Sequence, residues 1–111
     1  MMTKYGNKKT VVDGITFDSK AEARRWGALV ILERMGHIGN LTRQVSYVLA
    51  PKVHLLGDKR AKPAMKYVAD FAYTRLGVMV VEDVKGVLTP LFRAKQHLMK
   101  TVHGIDVVVV R

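Results

Sequence analysis

The sequence contains no cysteine, three prolines and one tryptophan. The absence of cysteine excludes disulfides, thiolate zinc sites and a cysteine nucleophile, and it is consistent with a reducing cytoplasm. The longest apolar stretches, at 27–32, 78–81 and 107–110, are far shorter than the ~20 residues that a membrane-spanning helix needs. Because the opening residues 1–9 lack an apolar core, no secretory signal is expected. We therefore expect a cytoplasmic protein without a membrane partner.

Acidic residues are also scarce, and this scarcity gives the first indication of function. Nine Asp and Glu residues stand against nineteen Lys and Arg residues, for a formal charge of +10. A surface this basic attracts polyanions, and nucleic acid is the polyanion that we expect. The cations expected to contact DNA lie in a flexible basic arm at 1–9 and in a long loop or splayed hairpin at 50–64: Lys4, Lys8, Lys9, Lys52, Lys59, Arg60 and Lys62.

Local signals predict one domain over 10–111 with a mixed α/β fold. Asp13-Gly14 between two β-prone runs is typical of a hairpin turn. Ser19 and Glu22 have the spacing of a helix capping box, and Thr89-Pro90 is typical of a second helix start. The predicted elements are a hairpin over 11–17, a helix over 19–35, strands over 41–49, 65–73 and 78–85, a helix over 90–102 and a buried strand over 105–110. This order predicts a small mixed sheet with helices packed against it.

Two acids are predicted to meet on one face of this sheet. Side chains two apart on a strand share a face, so Asp83 and Lys85 point one way and Glu82 the other. If the two strands form a hairpin with an even-numbered loop, Asp70 lies on the face of Asp83, opposite it or one diagonal step away. Two unpaired carboxylates ~4 Å apart repel by about 4 kcal/mol at an effective dielectric constant of ~20.

A divalent cation between the two acids would remove this repulsion. Oxygen ligands without His or Cys suit Mg²⁺ or Mn²⁺, and Lys85 could orient or deprotonate a water. With a polyanionic partner, this set points to phosphodiester hydrolysis. The alternative is a cross-strand salt-bridge cluster of Asp70, Asp83 and Lys85 on a solvated face. Glu22 has two compatible roles, as the partner of Ser19 in the helix cap and as a third acid at the site.

The segments that carry these acids resemble the PD-(D/E)XK nuclease signature. The run Tyr67-Val68-Ala69-Asp70-Phe71 is followed by Asp83-Val84-Lys85-Gly86, with a glutamate, Glu22, on the preceding helix. Residues 17–22, 70–71 and 82–86 are also similar to the corresponding segments of a family of small phage and prophage proteins grouped with those nucleases. The resemblance implies a restriction-endonuclease-like α-β-β-β-α-β core, preceded here by an N-terminal β-hairpin.

The resemblance also implies roles for single residues. Lys85 would orient the attacking water, and Lys95 and Gln96 on the second helix would face the site, with Lys95 as a DNA contact. The metal ligands that it implies are Asp70, Asp83, the Val84 carbonyl and Glu22.

This sequence departs from the usual nuclease signature at two positions. Ala69 replaces the usual proline, and Asp83 replaces the commoner glutamate. A bulge in the strand would make Glu82 the ligand instead of Asp83. Gln44, on the strand after the first helix, is a further candidate to contact phosphate or the surroundings of the metal.

These observations predict a DNA endonuclease that depends on Mg²⁺ or Mn²⁺. A chain of this length can reach little DNA, so we expect it to recognise backbone and shape rather than base sequence. Similar minimal nucleases resolve branched DNA as homodimers. The resemblance therefore implies a homodimer that resolves Holliday junctions during phage or prophage DNA recombination in the bacterial cytoplasm. The alternative is a non-catalytic basic nucleic-acid-binding protein on a degenerate nuclease fold.

Overall fold

The computed structural model describes residues 8–111, which form six strands and two helices. In chain order these are β1 (Thr10–Val12), β2 (Ile15–Phe17), α1 (Lys20–Arg34), β3 (Gly39–Ala50), β4 (Met65–Arg75), β5 (Val78–Val84), α2 (Pro90–His103) and β6 (Val107–Val110). The predicted order of elements and the mixed α+β class are confirmed. Lys4 and most of the predicted basic arm lie outside the described residues.

Strands β3 to β6 form one mixed sheet in the order β3-β4-β5-β6. The first two pairs are antiparallel and β5 pairs with β6 in parallel, so α2 serves as the crossover connection. The pair β1–β2 forms a separate hairpin. The prediction that the last strand is buried is wrong, because β6 lies at the sheet edge and Val108 is 47% exposed.

The two helices begin and end where capping residues predict. Ser19 Oγ accepts a hydrogen bond from the Glu22 N–H at 3.1 Å, and Thr89 Oγ1 accepts one from the Phe92 N–H at 3.1 Å. Gly104 ends α2 in the left-handed conformation, at φ 69°. Neither helix of residues 8–111 is long and apolar enough to cross a membrane.

The helices cover opposite faces of the four-stranded sheet. Alternate residues of β5 belong to different apolar clusters, Val80 and Val84 to one and Val81 to the other. The α1-side cluster is built on Phe17, Ala23, Leu29, Ile38, Phe71 and Tyr73. The α2-side cluster is built on Leu49, Tyr67, Ala69, Ala72, Val81, Phe92, Met99 and Val107.

Strands β3 and β4 reverse their faces halfway along. On β4, Ala69 belongs to the α2-side cluster, whereas Phe71, two residues later, belongs to the α1-side cluster. On β3, Val45 packs on the α2 side, whereas the Arg43 guanidinium lies 4.7 Å from the Phe17 ring centroid on the α1 side. In regular strands each of these pairs would share a face.

The reversal occurs at Gln44 and Asp70. The register pairs Arg43 with Phe71 and Val45 with Ala69, so Gln44 and Asp70 face each other between these pairs. Gln44 has φ 52°, a left-handed conformation that costs a non-glycine residue about 1–2 kcal/mol. We infer that packing on both faces holds this strained backbone, and that the kink sets Asp70 between the two layers.

A buried ion pair ties α1 to β5. Glu82 is 1% exposed. Its carboxylate accepts hydrogen bonds from Arg25 Nε at 2.6 Å, from Arg25 Nη2 at 3.0 Å and from the Tyr73 hydroxyl at 2.8 Å. Removal of the Arg25 cation would leave this buried carboxylate without its charged partner.

We therefore expect Arg25→Leu to destabilise the fold strongly. The substitution should lower the free energy of unfolding by about 3 kcal/mol, because Glu82 loses its partner. Urea unfolding followed by circular dichroism measures this change. Lys100→Ala is the control, since Lys100 forms an exposed pair with Asp106 at 2.7 Å and its loss should cost less than about 1 kcal/mol. Equal losses for the two variants would contradict the role of the buried pair.

Candidate active site

Asp70 and Asp83 lie against each other on adjacent strands. The β4–β5 register pairs Phe71 with Glu82, which puts Asp70 opposite Asp83 at the next position. The Asp70 N–H donates to Asp83 Oδ1 at 3.2 Å, and the Val84 N–H donates to Asp70 Oδ2 at 2.8 Å. The loop between the strands is Leu76-Gly77, an even number of residues. The predicted convergence of the two aspartates is therefore present.

Asp83 is also held from the α2 side. It is 2% exposed, and the Tyr67 hydroxyl donates to its Oδ2 at 2.9 Å. Lys85 Nζ lies 3.5 Å from the same oxygen and 4.9 Å from the Phe92 ring centroid. These contacts fix the positions of the Asp83 carboxylate and the Lys85 ammonium. The aspartate-lysine pair is partly buried.

Glu22 reaches the same place from α1. It is 4% exposed. It lines a cavity of about 340 Å³, which we call the acidic cleft: Asp18, Ser19, Glu22, Asp70, Val84, Lys85, Gly86, Val87 and Thr89. Asp83 and Lys85 line a second cavity of about 280 Å³ on the α2 side, together with Lys66, Tyr67, Val68, Thr89, Leu91, Phe92 and Lys95. Lys85 and Thr89 line both cavities, whereas Asp83 lines only this second one, which we call the basic hollow.

Burial and mutual repulsion favour the neutral forms of these acids. Burial raises the pKa of Asp70 to about 8, and hydrogen bonding with Asp83 and the Asp83 charge act in the same direction. Burial also raises the pKa of Glu22, with a further increase from the Asp18 charge and an opposing effect of Arg43. At Glu22 these effects outweigh the opposing charge of Arg43, so both acids bind a proton more tightly than an exposed carboxylate does.

A divalent cation is the chemical group that this donor set fits best. The acids offer oxygen ligands, and a bound cation would offset the repulsion between Asp70 and Asp83 that contributes to the raised pKa of Asp70. In the conformation described here, however, no three His, Asp or Glu side chains of residues 8–111 are grouped so as to hold an ion. The acids of the cleft would have to open their mutual contacts around a metal.

Three other predicted site residues have different positions. Glu82 was predicted to point to the opposite face unless the strand bulged, and β5 pairs with β4 without a bulge, so Glu82 bonds Arg25 on the α1 side. Gln44 faces Asp70 in the register, yet it is exposed and outside the acidic cleft. Gln96 donates to the Val107 carbonyl at 3.1 Å at the sheet edge, so the expectation that it faces the site is wrong.

Two of the predicted DNA-contacting cations, Lys95 and Lys9, lie beside the site. Lys95 lines the basic hollow beside Asp83 and Lys85, as expected. The remaining described members are exposed: Lys8, Lys9, Lys52, Lys59, Arg60 and Lys62. Lys9 lies 3.8 Å from Asp18 at the rim of the acidic cleft, which adds a cation near its mouth.

Three residues at the site received no role from sequence reasoning. Tyr67 bonds Asp83, and the signal was its place in the run before Asp70. Asp18 lines the cleft directly before the helix cap. The Arg43 guanidinium lies over the Phe17 and Trp26 rings, and its charge lowers the pKa of Glu22. The Arg43 position depends on the kink at Gln44, which no sequence pattern announces.

Comparison with known proteins identifies the family. Residues 2–107 match the family described as protein of unknown function DUF1064, so the chain belongs to that family. No curated protein and no solved structure matches the chain significantly.

The raised pKa of Asp70 predicts how stability changes with pH. A carboxyl with a pKa of about 8 in the fold binds its proton more tightly than in the unfolded chain. Its contribution is therefore complete below pH 4 and lost as pH rises towards 8, by up to about 1.4 kcal/mol per pH unit. In EDTA, Asp70→Asn should flatten this slope in urea unfolding measured from pH 4 to 8. The exposed Asp106→Asn should keep the slope of the parent, and a slope unchanged by Asp70→Asn would contradict the assignment.

Proposed function

We propose that this protein is a divalent-metal-dependent DNA endonuclease of the PD-(D/E)XK type. The observation that carries the proposal is the contact of Asp70 with Asp83 beside Lys85, with Glu22 lining the same cleft as Asp70, in a protein with nine acids and nineteen Lys and Arg residues. A basic protein gains nothing for DNA binding from carboxylates collected in a cleft. The arrangement is useful when a cation stands between the acids and the phosphate.

Asp70, Asp83 and Glu22 are the residues that would hold Mg²⁺ or Mn²⁺, with the Val84 carbonyl as a further oxygen ligand. When bound, the ion supplies a Lewis acid that offsets the charge developing on the scissile phosphate. The kink at Asp70 supports this role, because it lets an acid on β4 meet acids from both layers. The raised pKa of Asp70 is relieved by the same cation.

Lys85 is the residue that would orient the attacking water. Its ammonium is held 3.5 Å from Asp83 and against the Phe92 ring, and its side chain lines both hollows. A cation fixed in this way also stabilises the negative charge of a five-coordinate phosphate. Tyr67 acts through Asp83 as a positioning residue, since its hydroxyl fixes the Asp83 carboxylate.

Branched DNA is the substrate class that we infer within this function, and the acting form that we infer is a homodimer. Two symmetric cuts require two sites, and each chain has one acidic cleft in the part that the structure describes. The described chain has no appended module for reading bases, so recognition depends on backbone and shape. We infer that the protein acts on phage or prophage DNA in the bacterial cytoplasm, where that substrate is found.

A non-catalytic nucleic-acid-binding protein is the second candidate. It is favoured by the direct contacts of Asp70 with Asp83 and by the lack of a ready three-ligand group among residues 8–111. In that case the acids serve to hold the strands together, and the basic surface alone is functional.

Cleavage assays with matched variants separate the two candidates. Purified protein is incubated with four-way junction, flap, single-stranded and duplex DNA in Mg²⁺, Mn²⁺ or EDTA. We expect metal-dependent cutting, fastest on the junction. Asp83→Asn and Lys85→Ala should each slow cutting at least about 100-fold, because general-base and charge-stabilising groups contribute this much. DNA binding in EDTA should persist in both variants.

Asp106→Asn and Lys100→Ala are the controls for these substitutions, because they remove the same groups from an exposed ion pair outside the cleft. We expect both to cut at the rate of the parent. Cutting by Asp83→Asn or Lys85→Ala at the parental rate would refute the site, and DNA binding without any cutting would establish the second candidate.

Thermal unfolding with Mn²⁺ tests the metal separately from cleavage. A ligand at about 100 times its Kd stabilises the native state by about 2.7 kcal/mol, which raises the Tm by several degrees. We expect this rise for the parent and for Asp106→Asn, and its loss in Asp83→Asn. An equal rise in all three proteins would place the bound ion elsewhere.

A further inference from the structure

Residues 51–64, between β3 and β4, form an ordered basic segment with an apolar tip. We call it the 51–64 arm. Its two sides are joined by a bridge in which the Val53 N–H donates to the Lys62 carbonyl at 3.1 Å and the Lys62 N–H donates back to Val53. Prolines at 51 and 63 stiffen its base. Of the two predicted forms, a long loop and a splayed hairpin, the single Val53–Lys62 bridge therefore matches the splayed hairpin.

The tip holds one leucine fully in solvent. Leu56 is 106% exposed. The Asp58 N–H donates to the Leu55 carbonyl at 3.1 Å, and Gly57 has φ 89°, as the third residue of a type II turn requires. The His54 ring bonds the Asp58 carbonyl oxygen at 2.7 Å, which braces the turn. Leu56 thus projects from a corner fixed by hydrogen bonds, with half-exposed Val53 and Leu55 behind it.

Charge decides which partner suits this tip. The arm carries four cations against one acid: Lys52, Lys59, Arg60, Lys62 and Asp58. Lys62 lies 3.5 Å from Asp58, which leaves Lys52, Lys59 and Arg60 as excess positive charge. A second copy of the arm would bring like charges together, whereas a DNA duplex presents phosphates on either side of a stack of bases.

The 51–64 arm leads directly into β4, the strand that carries part of the candidate site. Strand β4 leaves the arm at Met65, and Lys66 and Tyr67 then line the basic hollow beside Asp83. The base of the arm is therefore joined directly to the residues beside Asp83. Some proteins that bind duplex DNA insert an apolar side chain between base pairs.

We infer that the 51–64 arm binds a DNA duplex by inserting Leu56 between stacked bases while Lys59 and Arg60 contact the adjacent phosphates. This inference rests on the proposed function for the identity of the ligand as DNA. It adds a recognition element, and a branch point suits it because base stacking is already interrupted there.

The test uses the full chain in EDTA, so that binding is read without cleavage. The probe is a short duplex with 2-aminopurine at several steps, whose fluorescence rises when the base unstacks. Leu56→Ser should abolish the rise and weaken binding about tenfold, because one inserted side chain is lost. Leu76→Ser is the matched control, since Leu76 is 96% exposed at the β4–β5 turn, outside the arm.

Salt dependence tests the cations of the arm. Removing two phosphate contacts with Lys59→Gln/Arg60→Gln should reduce the slope of log K against log salt by about 2. The pair Arg34→Gln/Arg75→Gln removes the same charge from α1 and from the far end of β4. This control pair should keep the parental slope.

Unstacking and affinity unchanged by Leu56→Ser would overturn the inference, even if the protein cuts DNA. Loss of self-association in Leu56→Ser during sedimentation, with DNA binding unchanged, would also overturn it and identify the tip as a protein interface. Loss of the signal in a protein that never cuts DNA would support the arm and refute the nuclease. The two proposals therefore fail on different measurements.

Discussion

The reversal of β3 and β4 at Gln44 and Asp70 is the constraint on which the site depends. A regular strand presents each side chain to one of two layers, so acids on α1 and on the α2 side of β5 could not share one residue of β4. The kink gives Asp70 access to both. It is maintained although Gln44 is held in a left-handed conformation, because Ala69 and Phe71 are anchored in separate apolar clusters.

Two neighbouring acids of β5, Glu82 and Asp83, differ in the groups that surround their carboxylates. Glu82 and Asp83 are neighbours in sequence and equally buried. Glu82 has a bidentate guanidinium and a hydroxyl, which satisfy its charge inside the core. On the opposite face, Asp83 shares its surroundings with Asp70, whose pKa is raised to about 8. The first acid holds the helix to the sheet, whereas Asp70 and Asp83 place two carboxylates side by side with Lys85 as the neighbouring cation.

Much of this fold follows from local signals. Ser19 and Thr89 predict where the two helices begin, and Asp13-Gly14 predicts the first turn. Side-chain alternation along the strands predicts that Asp70 meets Asp83. The kink at Gln44 could not be predicted from the sequence, because glutamine has no preference for the left-handed backbone conformation.

The remaining errors have related causes. Gln96 is expected at the site, yet its side-chain amide donates a hydrogen bond to the Val107 carbonyl of β6. Because β6 is an edge strand, its backbone has groups that no neighbouring strand pairs. The contacts of Glu82 with Arg25 and of Asp83 with Tyr67 join residues far apart in sequence, and their geometry exists only after the layers pack. Sequence alone therefore located the acids but not what surrounds them.

The most direct measurement of the central claim is an anomalous difference map from crystals grown with Mn²⁺. The account predicts a peak in contact with carboxylate oxygens of both Asp70 and Asp83, with Glu22 turned towards it and the direct contacts of the two aspartates opened. A map without a peak at the acidic cleft, in which Asp70 and Asp83 still bond each other at saturating Mn²⁺, would contradict it.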